Sequence, residues 1–430
     1  MTRTGLALAT ASSWRAKGWP RQLPVNVVVS TNFRCNFRCQ TCNVYERKVK
    51  ELDAGEWERV FESMGRAPTW MTFSGGEPFL RGDLPGIVIS AVRHCEPAVV
   101  NIPTNGWFSD RVVRGVERIC AASPDTQLVI NLSIDHHVPE RHDAIRGAPG
   151  SWPRLMSTLA GLRALELPNL TVGVHTVVSN ENEDDFPDVA RGLAELGADS
   201  YIAEPAEERV ELQTIGTGIT PRAERFATAA TAVLEAEELA SGTVARMARA
   251  LRGEYYQRVT RYLGGDAAAM PVCHAGFLSV HIVADGDVWS CCVLSRSFGN
   301  LRDHDLDFPK VWFSEAAEEF RQWMRERRCA CPLANAAYTN LLAEPQAAGR
   351  IAAGMVRRPR RIPVAASERC PPRPCSSRGR RVSSAATWLP RWPQRGELSE
   401  HWHGATTPPT TPGSQAPPRW PKAMSPMPPA

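Results

Sequence analysis

The strongest constraint on the fold of this chain is the regular alternation of strand-like and helix-like segments between residues 24 and 203. Short β-branched and apolar runs predict buried strands, and the amphipathic stretches between them predict helices. Alternation of this kind predicts an α/β fold with a parallel sheet and right-handed crossovers, either doubly wound or curled into a barrel. The predicted strands cover residues 24–30, 70–73, 98–102, 128–134, 170–178 and 200–203, and the predicted helices cover 51–65, 84–93, 110–122, 153–164 and 186–196.

The rest of the 430-residue chain differs in character from this alternating part. The lead-in before residue 22 is polar, and no element is predicted there. Residues 221–263 are rich in Ala, Glu, Arg and Leu, which predicts one or two helices. Asp285 and Gly286 separate two strand-like runs and predict a hairpin, which a helix over residues 315–327 follows. The predicted regions are a core over residues 22–215, a helical linker over 220–265, a small hairpin-plus-helix domain over 268–345 and a disordered tail over 350–430.

The predicted tail also has an unusual composition. Residues 351–430 contain 13 Lys and Arg, 3 Asp and Glu and 16 of the 35 prolines, so they carry a net charge of +10 while the preceding residues carry −6. The folded part is therefore acidic, and no specific nucleic-acid binding is expected of it. The tail is explained either as a flexible basic arm or as the result of a reading-frame error, and its lack of periodicity predicts disorder.

The cysteine content and the apolar runs predict the cellular compartment of the protein. No run of 18 apolar residues is present to span a membrane, and Gly5 to Ser12 is too short for the apolar part of a secretory signal. We therefore expect a soluble protein in the reducing cytoplasm, where 12 cysteines more often bind metal or take part in chemistry than form disulfides. Cys95 and Cys120 are expected in the core, while Cys370 and Cys375 have no assigned role.

Three cysteines directly after the first predicted strand form the strongest motif. Cys35, Cys39 and Cys42 have three and two residues between them. Three thiolates on one tight loop can hold three irons of a [4Fe–4S] cluster and leave the fourth iron open. A zinc knuckle is the alternative, although it usually needs two separated cysteine pairs.

This spacing resembles that of the radical S-adenosylmethionine (SAM) superfamily, in which the open iron chelates the amino and carboxylate groups of SAM. Further segments agree, in the order that the family shows. Ser74-Gly75-Gly76-Glu77-Pro78 looks like the GGEP motif near the SAM amino group, and paired glycines allow a close backbone approach to a ligand. Thr104-Asn105-Gly106 resembles the segment on the ribose side. By themselves, both segments are also compatible with ordinary turns.

The segment after the fourth strand extends the resemblance. Ser133 and the residues His142-Asp143-Ala144-Ile145-Arg146-Gly147 are similar to family residues that contact the SAM carboxylate, and Arg suits bidentate carboxylate binding. A surface ion pair is the alternative role for Arg146. One position departs from the family, since Thr41 stands where many members have an aromatic residue near adenine.

A second cysteine set resembles the auxiliary-cluster modules called SPASM and twitch domains. Cys273, Gly286 and Cys291 follow a C-x12-G-x4-C spacing, and Cys329 and Cys331 come after the predicted helix. The resemblance implies one auxiliary [4Fe–4S] cluster held by these four cysteines, with Cys292 as an alternative ligand. The Cys-x-Cys end departs from the commoner Cys-x2-Cys, and a structural zinc site is the alternative.

The resemblance, which covers roughly residues 25–340, implies a partial (β/α)6 radical SAM barrel followed by the auxiliary domain. It also implies reductive cleavage of SAM to a 5′-deoxyadenosyl radical that abstracts hydrogen from a peptide or small-molecule substrate, with an electron donor such as a flavodoxin or ferredoxin. We expect oxidative modification of a peptide or dehydrogenation of a small metabolite. The alternatives are a non-oxidative epimerase or carbon-transfer enzyme, with Cys292 as hydrogen donor, and an iron–sulfur carrier without SAM chemistry. Glu204 and Arg209 are candidate substrate contacts at the carboxyl end of the sheet.

Overall fold

The six predicted strands form one parallel sheet in the computed structural model, which describes residues 3–236, 243–326, 329–355 and 362. Each strand pairs in parallel with the next along the chain, which confirms the predicted α/β fold. All six lie within a few residues of their predicted positions. They are β1 (Asn26–Asn32), β2 (Trp70–Gly75), β3 (Val99–Thr104), β4 (Gln127–Ser133), β5 (Leu170–Val178) and β6 (Ser200–Pro205).

The predicted helices are also present, and their ends follow local sequence signals. The first of them begins at a capping box formed by Asp53 and Glu56 and ends at Gly65, whose φ is +53°. Its buried face places large apolar side chains three or four residues apart, at Trp57, Val60, Phe61 and Met64. The helices are α1 (Arg3–Lys17), α2 (Ala54–Met64), α3 (Leu84–Cys95), α4 (Ser109–Ala122), α5 (Pro139–Arg146), α6 (Ser151–Arg163), α7 (Phe186–Ala194), α8 (Ala223–Ala236), α9 (Thr243–Leu263), α10 (Phe308–Trp312), α11 (Glu315–Glu326), α12 (Ala334–Ala343) and α13 (Pro345–Gly354).

The hairpin region joins the same sheet. Strand β7 (Ser279–Ile282) pairs in parallel with β1, with Val28 opposite His281, and continues through the predicted turn into antiparallel β8 (Asp287–Trp289) and β9 (Ser297–Asn300). The sheet therefore has nine strands in the order β6-β5-β4-β3-β2-β1-β7-β8-β9. The predicted core and the predicted small domain share a continuous hydrogen-bonded sheet.

The other edge of the sheet is covered by the predicted helical linker. The hydroxyl of Tyr256 on α9 accepts a hydrogen bond from the backbone N–H of Ala203 at 3.0 Å. Arg252, one turn earlier, donates to the carbonyl of Tyr201 at 3.2 Å. These contacts satisfy backbone groups that an edge strand would otherwise leave open for pairing.

Two stretches differ from the sequence analysis. The polar lead-in forms α1, because Ala7, Ala11 and Trp14 fall on one helical face and are buried. The helix α13 continues past residue 350, where the tail was expected to begin, and its Ile351 is buried. Most of the tail, including Cys370 and Cys375, lies outside the described residues. No helix in the described part is long and apolar enough to cross a membrane.

Candidate active site

The first cysteine loop, residues 35–42, follows the carboxyl end of β1. The backbone N–H of Phe37 points at Cys35 Sγ (3.4 Å), and that of Cys42 donates to the carbonyl of Cys39 (3.1 Å). Burial raises the pKa of the Cys35 thiol to about 11 and that of Cys42 to about 12. Because burial disfavours the thiolate form, the three cysteines need a bound cation to become thiolates together. Iron is a cation that thiolates bind well.

The cysteine loop rests on the carboxyl end of α5. Gln40 donates from its backbone N–H to the carbonyl of Ile145 at 3.0 Å and from its side chain to that of Ala144 at 3.2 Å. Gly147 ends this helix with a φ of +57°, and a Cβ added there would lie 2.1 Å from the carbonyl oxygen of Arg38. The predicted HDAIRG segment thus supports the main chain of the cysteine loop.

Arg146 lies buried beside the same cysteines. Its Nη1 donates to Asp135 Oδ2 at 3.0 Å, while Asp135 Oδ1 accepts from the backbone N–H of Val177 at 2.9 Å. Burial works against the charge, yet the Cys39 thiol and Asp135 hold the pKa of Arg146 above its ordinary value. Its buried Nε has no hydrogen-bond partner among the described residues. The guanidinium is fixed in place with a donor left over, an arrangement that suits an anionic ligand.

The paired glycines after β2 approach protein backbone. A Cβ at Gly75 would lie 2.0 Å from the carbonyl oxygen of Asn32, and one at Gly76 would lie 2.0 Å from that of Arg34. The space beside both glycines is filled by the main chain of residues 32–34, which leads into the cysteine loop. The close approach that the glycines allow is therefore made to protein backbone. Ser74, just before them, accepts a hydrogen bond at its carbonyl from Thr31 Oγ1 at 3.3 Å.

Glu77 and Asn105 connect this turn to the segment after β3. The buried Glu77 carboxylate accepts hydrogen bonds from Thr104 Oγ1 (2.8 Å) and from the backbone N–H groups of Phe79 (3.0 Å) and Asn105 (2.8 Å). Asn105 in turn donates from Nδ2 to Asn36 Oδ1 at 2.9 Å. Both side chains are engaged within the protein, so they position the cysteine loop. Contact of either with a cofactor remains a prediction.

Ser133 lies at the carboxyl end of β4 and is half-buried. It is in register with His175 on β5, whose Nε2 lies 3.4 Å from Glu204 Oε2. Burial opposes the charge of His175, but Glu204 holds its pKa above the ordinary value. Glu204, a predicted substrate contact, is therefore already paired. Contact of Ser133 with the SAM carboxylate stays a prediction.

The four predicted auxiliary ligands come together from distant parts of the chain. Cys273 precedes β7, Cys291 follows β8, and Cys329 and Cys331 lie between α11 and α12. A hydrogen bond with Cys329 lowers the pKa of Cys273, and burial raises that of Cys291 to about 11. Cys331 also lies within electrostatic range of Cys273 and Cys291. Four convergent thiols form a donor set that fits an iron–sulfur cluster.

Arg15 on α1 supports this second site, and the sequence analysis missed it. Its Nη1 donates to the carbonyl oxygen of Cys273 at 2.7 Å, and its Nη2 donates to that of Met324 on α11. The positive charge therefore lies beside the auxiliary cysteines. The helical spacing of Ala7, Ala11 and Trp14 was the signal that could have revealed this helix.

Residues 204–214, which we call the bridging segment, connect the two cysteine sites. On one side, the carbonyl of Leu212 accepts from the backbone N–H of Asn43 at 2.9 Å, next to Cys42. On the other side, the backbone N–H of Glu211 donates to the carbonyl of Cys292 at 3.3 Å. Residues 211 and 212 are therefore anchored next to both cysteine sites.

The bridging segment carries a buried ion pair that faces Cys292. Arg209, the other predicted substrate contact, donates from Nε to Glu207 Oε2 at 2.8 Å, and its Nη1 lies 3.9 Å from Cys292 Sγ. Burial raises the pKa of Glu207 to about 7 against the opposing effect of Arg209. Cys292 thus faces a charged pocket, whereas Cys291 faces the auxiliary cysteines.

A further buried cluster, which the sequence analysis did not predict, lies beside this ion pair. His281 Nε2 is 2.8 Å from Ser30 Oγ and 3.5 Å from Glu211 Oε1. The side-chain donor atoms of Glu211, His281 and Cys292 lie within 4.8 Å of one another, but the Arg209 guanidinium already supplies a positive charge there. Glu211 lies 70 positions before His281 in the sequence, so no local spacing marks the three residues as a group. By contrast, Cys95 and Cys120 are in the core, as predicted.

Comparison with known proteins covers both sites. The family model described as the radical SAM superfamily matches residues 29–193, and the SPASM model, described as an iron-sulfur cluster-binding domain, matches residues 273–332. The first range includes every residue predicted for SAM and its cluster, and the second includes the four predicted auxiliary ligands.

Several relatives are named for peptide chemistry. PqqA peptide cyclase of Xanthomonas campestris pv. campestris is 26% identical over 334 residues, which is 72% of this chain and 79% of the relative. The PqqA peptide cyclase of Granulibacter bethesdensis is 26% identical over 294 residues, 62% of this chain and 74% of the relative. Among solved structures, Streptococcus suis SuiB bound to its precursor peptide SuiA aligns with a TM-score of 0.53 and 16% identity, covering 75% of this chain and 74% of SuiB. The SuiB likeness supports the fold.

Proposed function

Since this chain belongs to the radical SAM superfamily and carries a SPASM domain, we propose that it is an enzyme that oxidatively modifies a peptide. The peptide as substrate class is supported by the PqqA peptide cyclases, which match this chain over most of their length. An oxidative outcome is supported by one observation in particular: the bridging segment is hydrogen-bonded to Asn43, next to the first cysteine loop, and to Cys292, next to the auxiliary residue Cys291. A substrate bound there has access to both sites.

The residues that would hold the cofactors fit their chemistry. Cys35, Cys39 and Cys42 would bind the [4Fe–4S] cluster, and the free Nε of Arg146 would meet the SAM carboxylate. Cys273, Cys291, Cys329 and Cys331 would bind the auxiliary [4Fe–4S] cluster. When bound, these groups supply hydrogen-atom abstraction from an unactivated carbon and an acceptor for one electron.

The chain itself must orient the peptide and accept a proton. Glu207 is suited to the second task, because its pKa of about 7 leaves the carboxylate able to take up a proton near neutral pH. Arg209, held 2.8 Å away, orients this carboxylate and limits the rise of its pKa. The ion pair between His175 and Glu204 offers a second polar contact for the peptide backbone or side chains.

The test uses anaerobically reconstituted enzyme with SAM, a reductant and a short peptide encoded near its gene. We expect 5′-deoxyadenosine and a peptide that has lost a pair of hydrogen atoms, measured by mass spectrometry. Cys39→Ala should abolish both products, whereas Cys329→Ala should abolish only the oxidised peptide. Cys120→Ala is the control, since Cys120 is buried in the last turn of α4, at the amino edge of the sheet. A peptide oxidised equally well by Cys329→Ala would contradict the proposed role of the auxiliary site.

A redox-neutral epimerase is the second candidate, and one observation favours it. The buried Cys292 thiol faces the charged pocket instead of the other auxiliary cysteines, so it could donate a hydrogen atom to a substrate held there. Turnover in deuterated water distinguishes the two candidates. An epimerase returns a peptide with the same number of hydrogen atoms, one of which is replaced by deuterium. Its Cys292→Ser variant should lack this activity. The oxidative enzyme gives a peptide that has lost hydrogen.

A further inference from the structure

A groove of about 840 Å³ opens at the carboxyl edge of the sheet, between the first turns of α4 and α6. Aromatic and basic side chains make up five of its eleven lining residues. The Arg154 guanidinium stacks 4.4 Å from the Trp107 ring centroid, and that of Arg111 lies 5.0 Å from the Phe108 ring. Arg114 completes this set, which we call the arginine groove.

The arginine groove is a local positive surface on an acidic body. It contains three arginines and a single carboxylate, Asp110, and within the described ranges none of the three arginines has a carboxylate partner. Both helices also begin there, which adds the positive ends of their dipoles. Residues 1–350 carry a net charge of −6, so this positive surface stands out from the acidic body of the chain and would attract an acidic protein.

The groove also adjoins the first cysteine loop. The Trp107 ring meets the Phe37 ring edge-on, with 5.6 Å between centroids. Phe37 stands between Cys35 and Cys39 in the loop, and its N–H points at Cys35 Sγ. A partner bound in the groove is therefore separated from the cluster ligands by one pair of aromatic rings. The bridging segment, by contrast, follows β6, three strands away from β3 in the sheet.

We propose that the arginine groove is the docking surface for an acidic one-electron carrier protein of the flavodoxin or ferredoxin class. One electron passes from the reduced carrier to the cluster on the first cysteine loop; the carrier is oxidised by one electron and the cluster is reduced by one. No bond or proton is transferred. Weak electron-transfer encounters of this kind use small, charge-steered interfaces. The inference goes beyond the proposed peptide chemistry and does not depend on it.

The test measures the rate at which the cluster is reduced, without any peptide. Arg114→Glu/Arg154→Glu reverses two exposed charges in the groove, and Arg66→Glu/Arg163→Glu makes the same charge change at the opposite edge of the sheet. With reduced flavodoxin at low salt, we expect the groove variant to slow the second-order rate about tenfold or more, as loss of electrostatic steering predicts, and the control to change it much less. The affinity for flavodoxin should fall in parallel.

Two further measurements make the result decisive. Reduction by dithionite, which needs no docking, should be equal in both variants and the wild type. At an ionic strength of about 1 M, where the Debye length is about 3 Å, the flavodoxin rates of all three should converge. Equal slowing by both variants, or wild-type flavodoxin kinetics in the groove variant, would overturn the proposal. So would a groove variant that keeps carrier kinetics but loses peptide binding, because the groove would then belong to the substrate.

Discussion

Replacing Gly147 by alanine should disturb the first cysteine loop from a position outside it. A left-handed backbone costs an alanine about 1–2 kcal/mol. The new Cβ would in addition lie 2.1 Å from the carbonyl oxygen of Arg38, so that oxygen must move by about 1 Å to reach the 3.0 Å that real contacts respect. Overpacking of this kind costs about 1–3 kcal/mol more. Because Arg38 precedes Cys39, the displacement reaches the iron ligands.

Gly150→Ala is the matched control. Gly150 also has a positive φ, +77°, but nothing lies within 4 Å of its added Cβ. Urea unfolding of the metal-free protein should therefore show a larger loss for Gly147→Ala, and iron analysis after reconstitution should show a deficit at the first site in that variant alone. Equal unfolding midpoints and equal iron contents for the two variants would refute the argument that the loop rests on this glycine.

Three other substitutions test neighbouring parts of the site. Arg146→Lys keeps the charge but loses the forked donor geometry, so SAM should bind about 10- to 100-fold more weakly by equilibrium dialysis; unchanged affinity would exclude Arg146 from the SAM site. Arg15→Met should lower the iron bound at the auxiliary cysteines and spare the first site, as site-resolved Mössbauer spectra would reveal. Glu207→Gln should remove a pH dependence of stability. Burial raises the Glu207 pKa from 4.5 to about 7, so between these pH values the folded state holds a proton that the unfolded state has lost. The free energy of unfolding of the wild type, relative to that of the variant, should therefore fall as pH rises through this interval in urea titrations. A constant difference between the two proteins would contradict it.

The core was predictable because its signals are local. The run over residues 170–178 coincides with β5, and the positions after the strands put Cys35, Gly76 and Asn105 at one edge of the sheet. Parallel α/β topology alone brings such residues together. The pairing of β7 with β1 was not predictable, because it joins residues about 250 positions apart through contacts that no short window contains.

The missed parts of the site are long-range for the same reason. Glu211, His281 and Ser30 come from three separate elements, and only folding brings them to Cys292. The close contact of the paired glycines with main chain could not be predicted either, since a glycine pair does not reveal which group will occupy the space beside it; their contact with SAM stays a prediction. In this protein the neighbour is the backbone of residues 32 and 34.

The parallel pairing of β7 with β1 constrains the design of chimeras that exchange domains between such enzymes. The separation between the two cysteine sites is determined by backbone hydrogen bonds from residues 26–29 to residues 279–282, and the linker length has little influence on it. A chimera joined within residues 220–265 must therefore preserve the register of Val28 opposite His281. A shift by one residue would turn His281 to the other face of the sheet and remove it from Ser30. Grafting only the cysteine-bearing loops onto a foreign scaffold would lose this alignment altogether.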